Sequence, residues 1–201
     1  MRTKRGVHPS KDLLGREGSE LEGKRIVLCI TGSVAAYRAI DLARLLMRHG
    51  ADVHAVMTES TASTLLNPEI MKWATGNEVV TKLTGNLEHI ILADYGMSDL
   101  IIVYPCTANT IGKMAAGIDD TPVTSILSVA LGSKIPIVVA PAMHEAMYEN
   151  VFVQHGRVRA AKPFTERHRE THLLARENFS RNDVAHRLAE DGFGLPHAYL
   201  E

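Results

Sequence analysis

The sequence is short of cysteine, of net charge and of long apolar runs, and each shortage closes off a class of protein. Two cysteines occur in 201 residues, Cys29 and Cys106, and both fall in or just after predicted strands. That is no disulfide framework, and the simplest setting for it is a reducing cytoplasm. The net charge is −1, with Lys and Arg spread over the chain, so nothing argues for nucleic acid or an anionic membrane as partner. No run approaches the roughly 18 apolar residues of a membrane span, and residues 1–24 lack the apolar core of a signal peptide. Neither G-x-G-x-x-G nor the Walker A pattern is found. His155, His168, His172, His186 and His197 have no zinc-finger spacing and no cysteine among them, so no metal site is expected. What remains is 45% hydrophobic and 22% charged, ordinary values for one α/β domain with extra termini.

The chain is organised around Asp99–Asn150. Its apolar runs LIIVY and IPIVVA are rich in β-branched residues and read as strands covered on both faces. Polar turns follow them, Pro105-Cys106-Thr107-Ala108-Asn109-Thr110 and Pro141-Ala142-Met143-His144. Open parallel sheets bind ligands at the carboxyl ends of their strands, so the two turns on one sheet edge predict a site. Between them, helices are predicted over Ile111–Ala116, stopped by Gly117, and over Val123–Leu131, closed by Gly132-Ser133. Asp120 or Thr121 caps the second, with Pro122 in its first turn.

The rest of the chain feeds that edge. Residues 1–24 form a charged, Gly-punctuated arm, either flexible and hugging the surface or packed on a neighbouring subunit. RIVLCI, Arg25–Ile30, is a first buried strand, followed by Thr31-Gly32-Ser33-Val34 and a helix through about Arg48 that ends at Gly50. Strand, Gly-Ser turn and helix N-terminus present free N–H groups to a phosphate, although Ser33 as an ordinary N-cap explains the turn equally well. DVHAVM, Asp52–Met57, is the second strand, and the hydroxyls of Thr58-Glu59-Ser60 either cap a helix or meet a ligand. A helix containing Trp73 ends at Gly76-Asn77, and Val79–Leu83 is a short strand or edge. The apolar stretch Leu87–Leu92 carries His89, which by its local pattern alone is more often structural than catalytic. Residues 151–201 differ in character and are expected to be partly disordered, with a short helix at Asn182–Asp191.

ITGSVAAYR, LEHIIL, PCTANTIGKMAAGIDD and PAMHEAMYEN together strongly resemble the flavin-dependent cysteine decarboxylases, nearest the phosphopantothenoylcysteine decarboxylase branch of archaeal type. The likeness covers roughly residues 7–150. It implies a Rossmann-like, flavodoxin-like, doubly wound parallel sheet in three layers, with residues 25–150 as a single FMN-binding domain. It implies homotrimers or a dodecamer, with FMN at the subunit interface. By the same resemblance, Gly32, Ser33 and Val34 would bind the FMN phosphate, and Thr58, Glu59 and Ser60 would form a second flavin-contacting turn. Thr107, Ala108, Asn109 and Thr110 would hold the flavin chain, with Ala142 and Met143 against its ring. His89 falls on the catalytic histidine, and Asn109 and His144 on substrate contacts.

The implied reaction, a step of coenzyme A biosynthesis, converts 4′-phospho-N-pantothenoylcysteine to 4′-phosphopantetheine. Hydride leaves the cysteinyl Cβ for the flavin, the resulting thioaldehyde drives loss of CO₂, and the ene-thiol is reduced again. A phosphopantothenate–cysteine ligase, separate or not, would supply the substrate. Two positions depart from the family pattern: His144 stands where many members have Asn, and no cysteine follows Cys106 to serve as the clamp cysteine that protonates the ene-thiol. An electron-transferring FMN protein and a non-catalytic regulatory subunit of the same fold therefore stand beside the enzyme reading. Cys106 itself is either a packed core thiol or a neighbour of the flavin.

Overall fold

A computed structural model describes residues 7–156 and the two-residue strand His172–Leu173. The sheet is built from β1 (Arg25–Ile30), β2 (Asp52–Met57), β3 (Leu100–Cys106), β4 (Ile137–Pro141) and β5 (His172–Leu173). All pairings are parallel and the order is β2-β1-β3-β4-β5, with Arg25 opposite Asp52, Ile26 opposite Leu100 and Ile101 opposite Ile137. The apolar runs are continuous because both sheet faces are covered, and successive side chains go to opposite cores.

Ile26, Leu28 and Ile30 of β1 join Leu100, Ile102 and Tyr104 of β3 on one face. Leu42, Ala43 and Leu46 of α1 (Ala39–Arg48) cover it, with Met71 further along the chain. Val27, Cys29, Ile101 and Val103 take the other face, under Ile111, Ile126, Leu127 and Ala130. Each large aliphatic side chain fully withdrawn from water in this way contributes about 1.5–3 kcal/mol.

Further helices are α2 (Glu59–Thr64), α3 (Pro68–Thr75), α4 (Glu88–Ala93), α5 (Ala108–Ala116), α6 (Pro122–Ser133) and α7 (Glu145–Tyr148), and residues 151–156, read as part of an atypical tail, are helical as well. A 3₁₀ turn over Val34–Arg38 leads into α1. Thr58, Thr107 and Thr121 are the N-caps of α2, α5 and α6, each accepting from the amide three residues on. Gly50 ends α1 at φ 104°, where a Cβ would come within 2.9 Å of the Glu22 backbone, so only glycine fits.

The main boundary differences from the sequence reading fall in the central unit, where β4 also shifts, running from Ile137 through Pro141. β3 runs on through Pro105 and Cys106, because a register shift between Val103 and Cys106 lets the strand rejoin β4 at Pro141. The predicted polar turn therefore shrinks to Thr107, and Ala108, Asn109 and Thr110 are already the first turn of α5. α6 continues through Gly132 and Ser133, and Lys134 takes the left-handed C-cap at φ 59°. The ambiguous Val79–Leu83 segment makes one parallel bridge, Val80 to Val56. The predicted helix at Asn182–Asp191 lies outside the described residues.

The described part of the N-terminal arm hugs the amino edge of the sheet. Leu21 is fully buried, and the amides of Gly15, Glu17 and Leu21 donate to carbonyls of Met47, Arg48 and His49 at the end of α1. Its charged anchor is Asp52, which accepts from His54 at 2.9 Å, from Asn77 at 3.0 Å and from Lys11. The His54 contact first, then Lys11 and Asn77, hold the Asp52 carboxyl far below its ordinary value of 3.8, against the opposing effect of burial. A depressed carboxylate contributes stability that is complete above its unfolded-state pKa and fades as the pH falls from there toward the folded value. Asp52→Asn is therefore expected to cost about 1 kcal/mol at neutral pH, a modest figure for a half-exposed group. In denaturant titrations from pH 7 down, the gap to wild type should hold to about pH 4 and then close; a gap that persists through the acid range would overturn the assignment.

Candidate functional site

Cross-strand hydrogen bonds continue past the sheet's carboxyl edge and tie its turns together. The Thr58 amide donates to the Ile30 carbonyl at 3.1 Å, linking the end of β2 to β1. The Thr31 hydroxyl donates to the Pro105 carbonyl at 2.8 Å and accepts from the Thr107 amide at 3.0 Å, linking β1 to β3. The Ala142 amide donates to the Cys106 carbonyl at 2.8 Å, linking β4 to β3. Thr31, 1% exposed, is the centre of this chain. It stands where the strand order reverses, with α1 leaving β1 for one face and α5 leaving β3 for the other. Such a switch point opens a crevice at the carboxyl edge.

A groove of about 560 Å³ occupies that crevice, bordered by Thr31, Gly32, Thr58, Ser60, Thr107 and Asn109 and, deeper along α5, by Thr110 and Lys113. Glu59, Asp120, Thr121, Pro122 and Met147 complete it. The amides of Ala108 and Asn109 make no hydrogen bond among the described residues, as expected for the first two positions of a helix. The amides of Gly32 and Val34 are equally open across the groove mouth. Thr and Ser hydroxyls and the Asn109 side chain line the wall beside apolar surface from Pro122 and Met147. The donor set fits an elongated, hydroxyl-rich phosphate ester: amide N–H groups suit the phosphate, and the Thr and Ser hydroxyls suit a polyol. No group of three or more His, Cys, Asp or Glu that could hold a metal occurs among the described residues.

Of the residues marked out in the sequence, Gly32, Thr58, Glu59, Ser60, Thr107, Asn109 and Thr110 meet in this groove. Ser33 sits at its mouth as N-cap of the 3₁₀ turn, accepting from the Ala35 amide at 3.3 Å, and Val34 projects outward, 80% exposed. Ala108 lies on the α5 turn without lining the wall. Ala142 and Met143 follow β4, where Met143 packs against the core beneath the sheet. His144 is exposed and caps α7, its Nδ1 accepting from the Ala146 amide at 3.3 Å.

His89 lies on α4, outside the groove wall. α4 runs back toward the amino edge before β3, so its first residues lie at the carboxyl-edge end. The Glu88 carboxylate accepts from the Thr84 hydroxyl and amide, which holds it below the usual range and pins the loop in front of His89. The Nδ1 of His89 is shielded from solvent and has no hydrogen-bond partner among the described residues. A ring nitrogen left unpaired in this way calls for a function or a further partner. Cys106 and Cys29 are buried, and burial pushes both thiols up, which keeps them un-ionised core groups.

The sequence reading missed Thr31, Lys113, Asp120, Thr121, Pro122 and Met147 as wall residues. Thr31 had a signal, a hydroxyl immediately after a buried strand. Lys113 had another, one helical turn after Asn109 and so on the same face of α5.

Comparison with known proteins agrees with this geometry. Residues 14–161 match the sequence model of the family described as Flavoprotein. The coenzyme A biosynthesis bifunctional protein CoaBC of Thermococcus kodakarensis is 49% identical over 152 residues, 75% of this chain and 37% of that protein. CoaBC of Methanocaldococcus jannaschii is 41% identical over 145 residues, 72% of this chain and 35% of that one. The chain thus spans little more than a third of the length of these curated relatives. Among solved structures, the FMN-dependent cysteine decarboxylase SpaF superposes with a TM-score of 0.64 at 26% identity, over 74% of this chain and 83% of that one. A PPC decarboxylase mutant complexed with pantothenoylaminoethenethiol gives 0.57 at 28% identity, over 70% and 78%.

The Thr31 tether makes a direct expectation. Thr31→Val keeps the shape and the bond from its own amide to the Pro105 carbonyl at 3.3 Å, but leaves the Thr107 amide without its partner, at a cost of about 1–3 kcal/mol. Urea unfolding should report that loss, whereas an unchanged midpoint would show that the two strand ends are held by other contacts.

Proposed function

The chain belongs to the flavoprotein family, and on that premise we propose that it is an FMN-dependent decarboxylase converting 4′-phospho-N-pantothenoylcysteine to 4′-phosphopantetheine in coenzyme A biosynthesis. The observation that carries the proposal is the groove at the β1/β3 switch point, lined by Gly32 and Asn109, whose amides have no hydrogen-bond partner among the described residues, and by the hydroxyls of Thr31, Thr58, Ser60, Thr107 and Thr110. The names of the CoaBC proteins and of the superposed decarboxylases supply the substrate class.

FMN would supply a two-electron acceptor that later returns the pair, the chemistry that lets a carboxylate leave from an otherwise unactivated carbon. The protein's part is binding, orientation and proton handling. Gly32, Ser33 and Val34, together with the first turn of α5, would hold the phosphate. Thr58, Glu59, Ser60, Thr107 and Thr110 would take the polyol, and Ala142 and Met143 would lie against the ring. Asn109 and His144 would meet the substrate carboxylate, His144 by pairing with it when protonated.

His89 is assigned the thiol proton. Its shielded Nδ1, without a hydrogen-bond partner among the described residues, is available for that role. Exposed Leu87, the N-cap of α4, and Ile90 and Ile91 on it form apolar surface that assembly as trimers or multiples of trimers would cover. The reducing cytoplasm suits the two free thiols, and a phosphopantothenate–cysteine ligase would provide the substrate.

An anaerobic assay of the FMN-loaded protein with 4′-phosphopantothenoylcysteine tests the reading. CO₂ and 4′-phosphopantetheine are expected, and His89→Asn should slow their release by about 10²–10⁴-fold. Bound flavin that neither bleaches nor yields CO₂ would refute the enzyme and leave an electron carrier or regulatory subunit. Bleaching with an oxidised thiol product and no phosphopantetheine would equally refute the complete reaction.

A further inference from the structure

We propose that Lys113 reads a phosphomonoester in the groove, and that Asp120 parks its ammonium group while the groove is empty. The inference rests on the FMN-dependent reading above and adds to it a residue that selects phosphorylated ligands. Lys113 Nζ donates to both carboxylate oxygens of Asp120 at 2.8 Å, and both residues line the groove. The Lys113 side chain is only 20% exposed, against 52% for Asp120. The cation is therefore drawn into the groove, and its partner stands on the solvent side.

Charge makes the case. Among the groove-lining residues Glu59 and Asp120 are acidic and Lys113 is the one cation, so the wall carries a formal charge of −1. A phosphomonoester brings close to two further negative charges at neutral pH. The amino end of α5 offsets part of this through partial charges, and Lys82, outside the lining, stands 3.9 Å from Glu59, but the Glu59 and Asp120 carboxylates oppose it. Lys113 lies one turn below Asn109 on the same face of α5, so rotation about its flexible stem swings the ammonium from Asp120 toward the helix start. Two negatively charged partners then compete for one cation, and the doubly charged ligand wins. The competing structural account is a staple: Lys113–Asp120 would tie the loop after Gly117 back onto α5, with no role toward any ligand.

Two phosphates could be read in this way, that of FMN and the 4′-phosphate of the acyl-cysteine, and binding measurements separate them. Fluorescence titration of the flavin-free protein with FMN and with riboflavin gives a discrimination ratio. Calorimetry of the FMN-loaded protein with 4′-phosphopantetheine and with pantetheine gives a second. Lys113→Met should shrink one of these ratios about ten-fold or more, the scale of one charge-assisted hydrogen bond, while binding of the unphosphorylated member stays unchanged. Lys113→Arg should restore most of the ratio. Asp120→Asn decides between the accounts, because it breaks the same ion pair yet keeps the cation. A phosphate reader should then hold or gain affinity for the phosphorylated ligand, whereas a staple should lose affinity as Lys113→Met does. If wild type binds FMN and both ratios survive Lys113→Met, the proposal is wrong and the FMN reading stands. If wild type binds neither flavin, the FMN reading itself falls and the proposal falls with it.

Discussion

The hydroxyl of Thr31, shared between the Pro105 carbonyl and the Thr107 amide, is the interaction on which the site depends. At a switch point the chain leaves two adjacent strands in opposite directions, and the regular β1–β3 pairing ends at Cys29 opposite Val103. Here one buried side chain, with its own amide bonded to the Pro105 carbonyl at 3.3 Å, extends the tie two residues beyond that last pair. Backbone bonds do the same on either side, from the Thr58 amide to Ile30 and from the Ala142 amide to Cys106. Four strand ends are thereby fixed as one frame, and the helix starts that follow inherit their positions from it.

Rigid strand ends determine where polar groups can converge. α5 begins immediately after Thr107, so its open first-turn amides are placed by the tether rather than by the helix's own packing. The hydroxyls of Thr58, Thr61 and Ser60 bond among themselves, Thr58 to Thr61 at 2.7 Å and to Ser60 at 3.2 Å. Those groups are already ordered, which under the proposed function would lower the ordering cost of binding. His89 obeys a different logic. It sits on a short helix with an exposed apolar face, and its Nδ1 has no hydrogen-bond partner among the described residues.

Much of the fold was legible along the chain. RIVLCI and DVHAVM were read as strands at the boundaries the structure has, because a strand buried on both faces leaves a short β-branched run that polar residues bracket. Thr58 and Ser33 were legible as caps. The central unit misled at Pro105 and Cys106, where proline and a following polar run signal a turn. A register shift keeps both residues in β3 instead, and the helix start moves forward by three residues. Gly132 and Ser133 misled likewise, since the helix closed one residue later on a left-handed lysine. In each case a tertiary contact overrode the local preference.

By itself the sequence determined the parallel α/β class, the edge on which the polar turns fall and most of the hydroxyl-bearing wall, since these follow from apolar periodicity and from what comes directly after each strand. Only the tertiary structure decided which of those residues meet. It brought Lys113 and Asp120 into the groove and left Ala142, Met143, His144 and His89 outside its wall, because convergence depends on crossing angles and cross-strand hydrogen bonds between residues some 75 positions apart, Thr31 and Thr107 foremost. No local pattern in a chain encodes a distance of that kind.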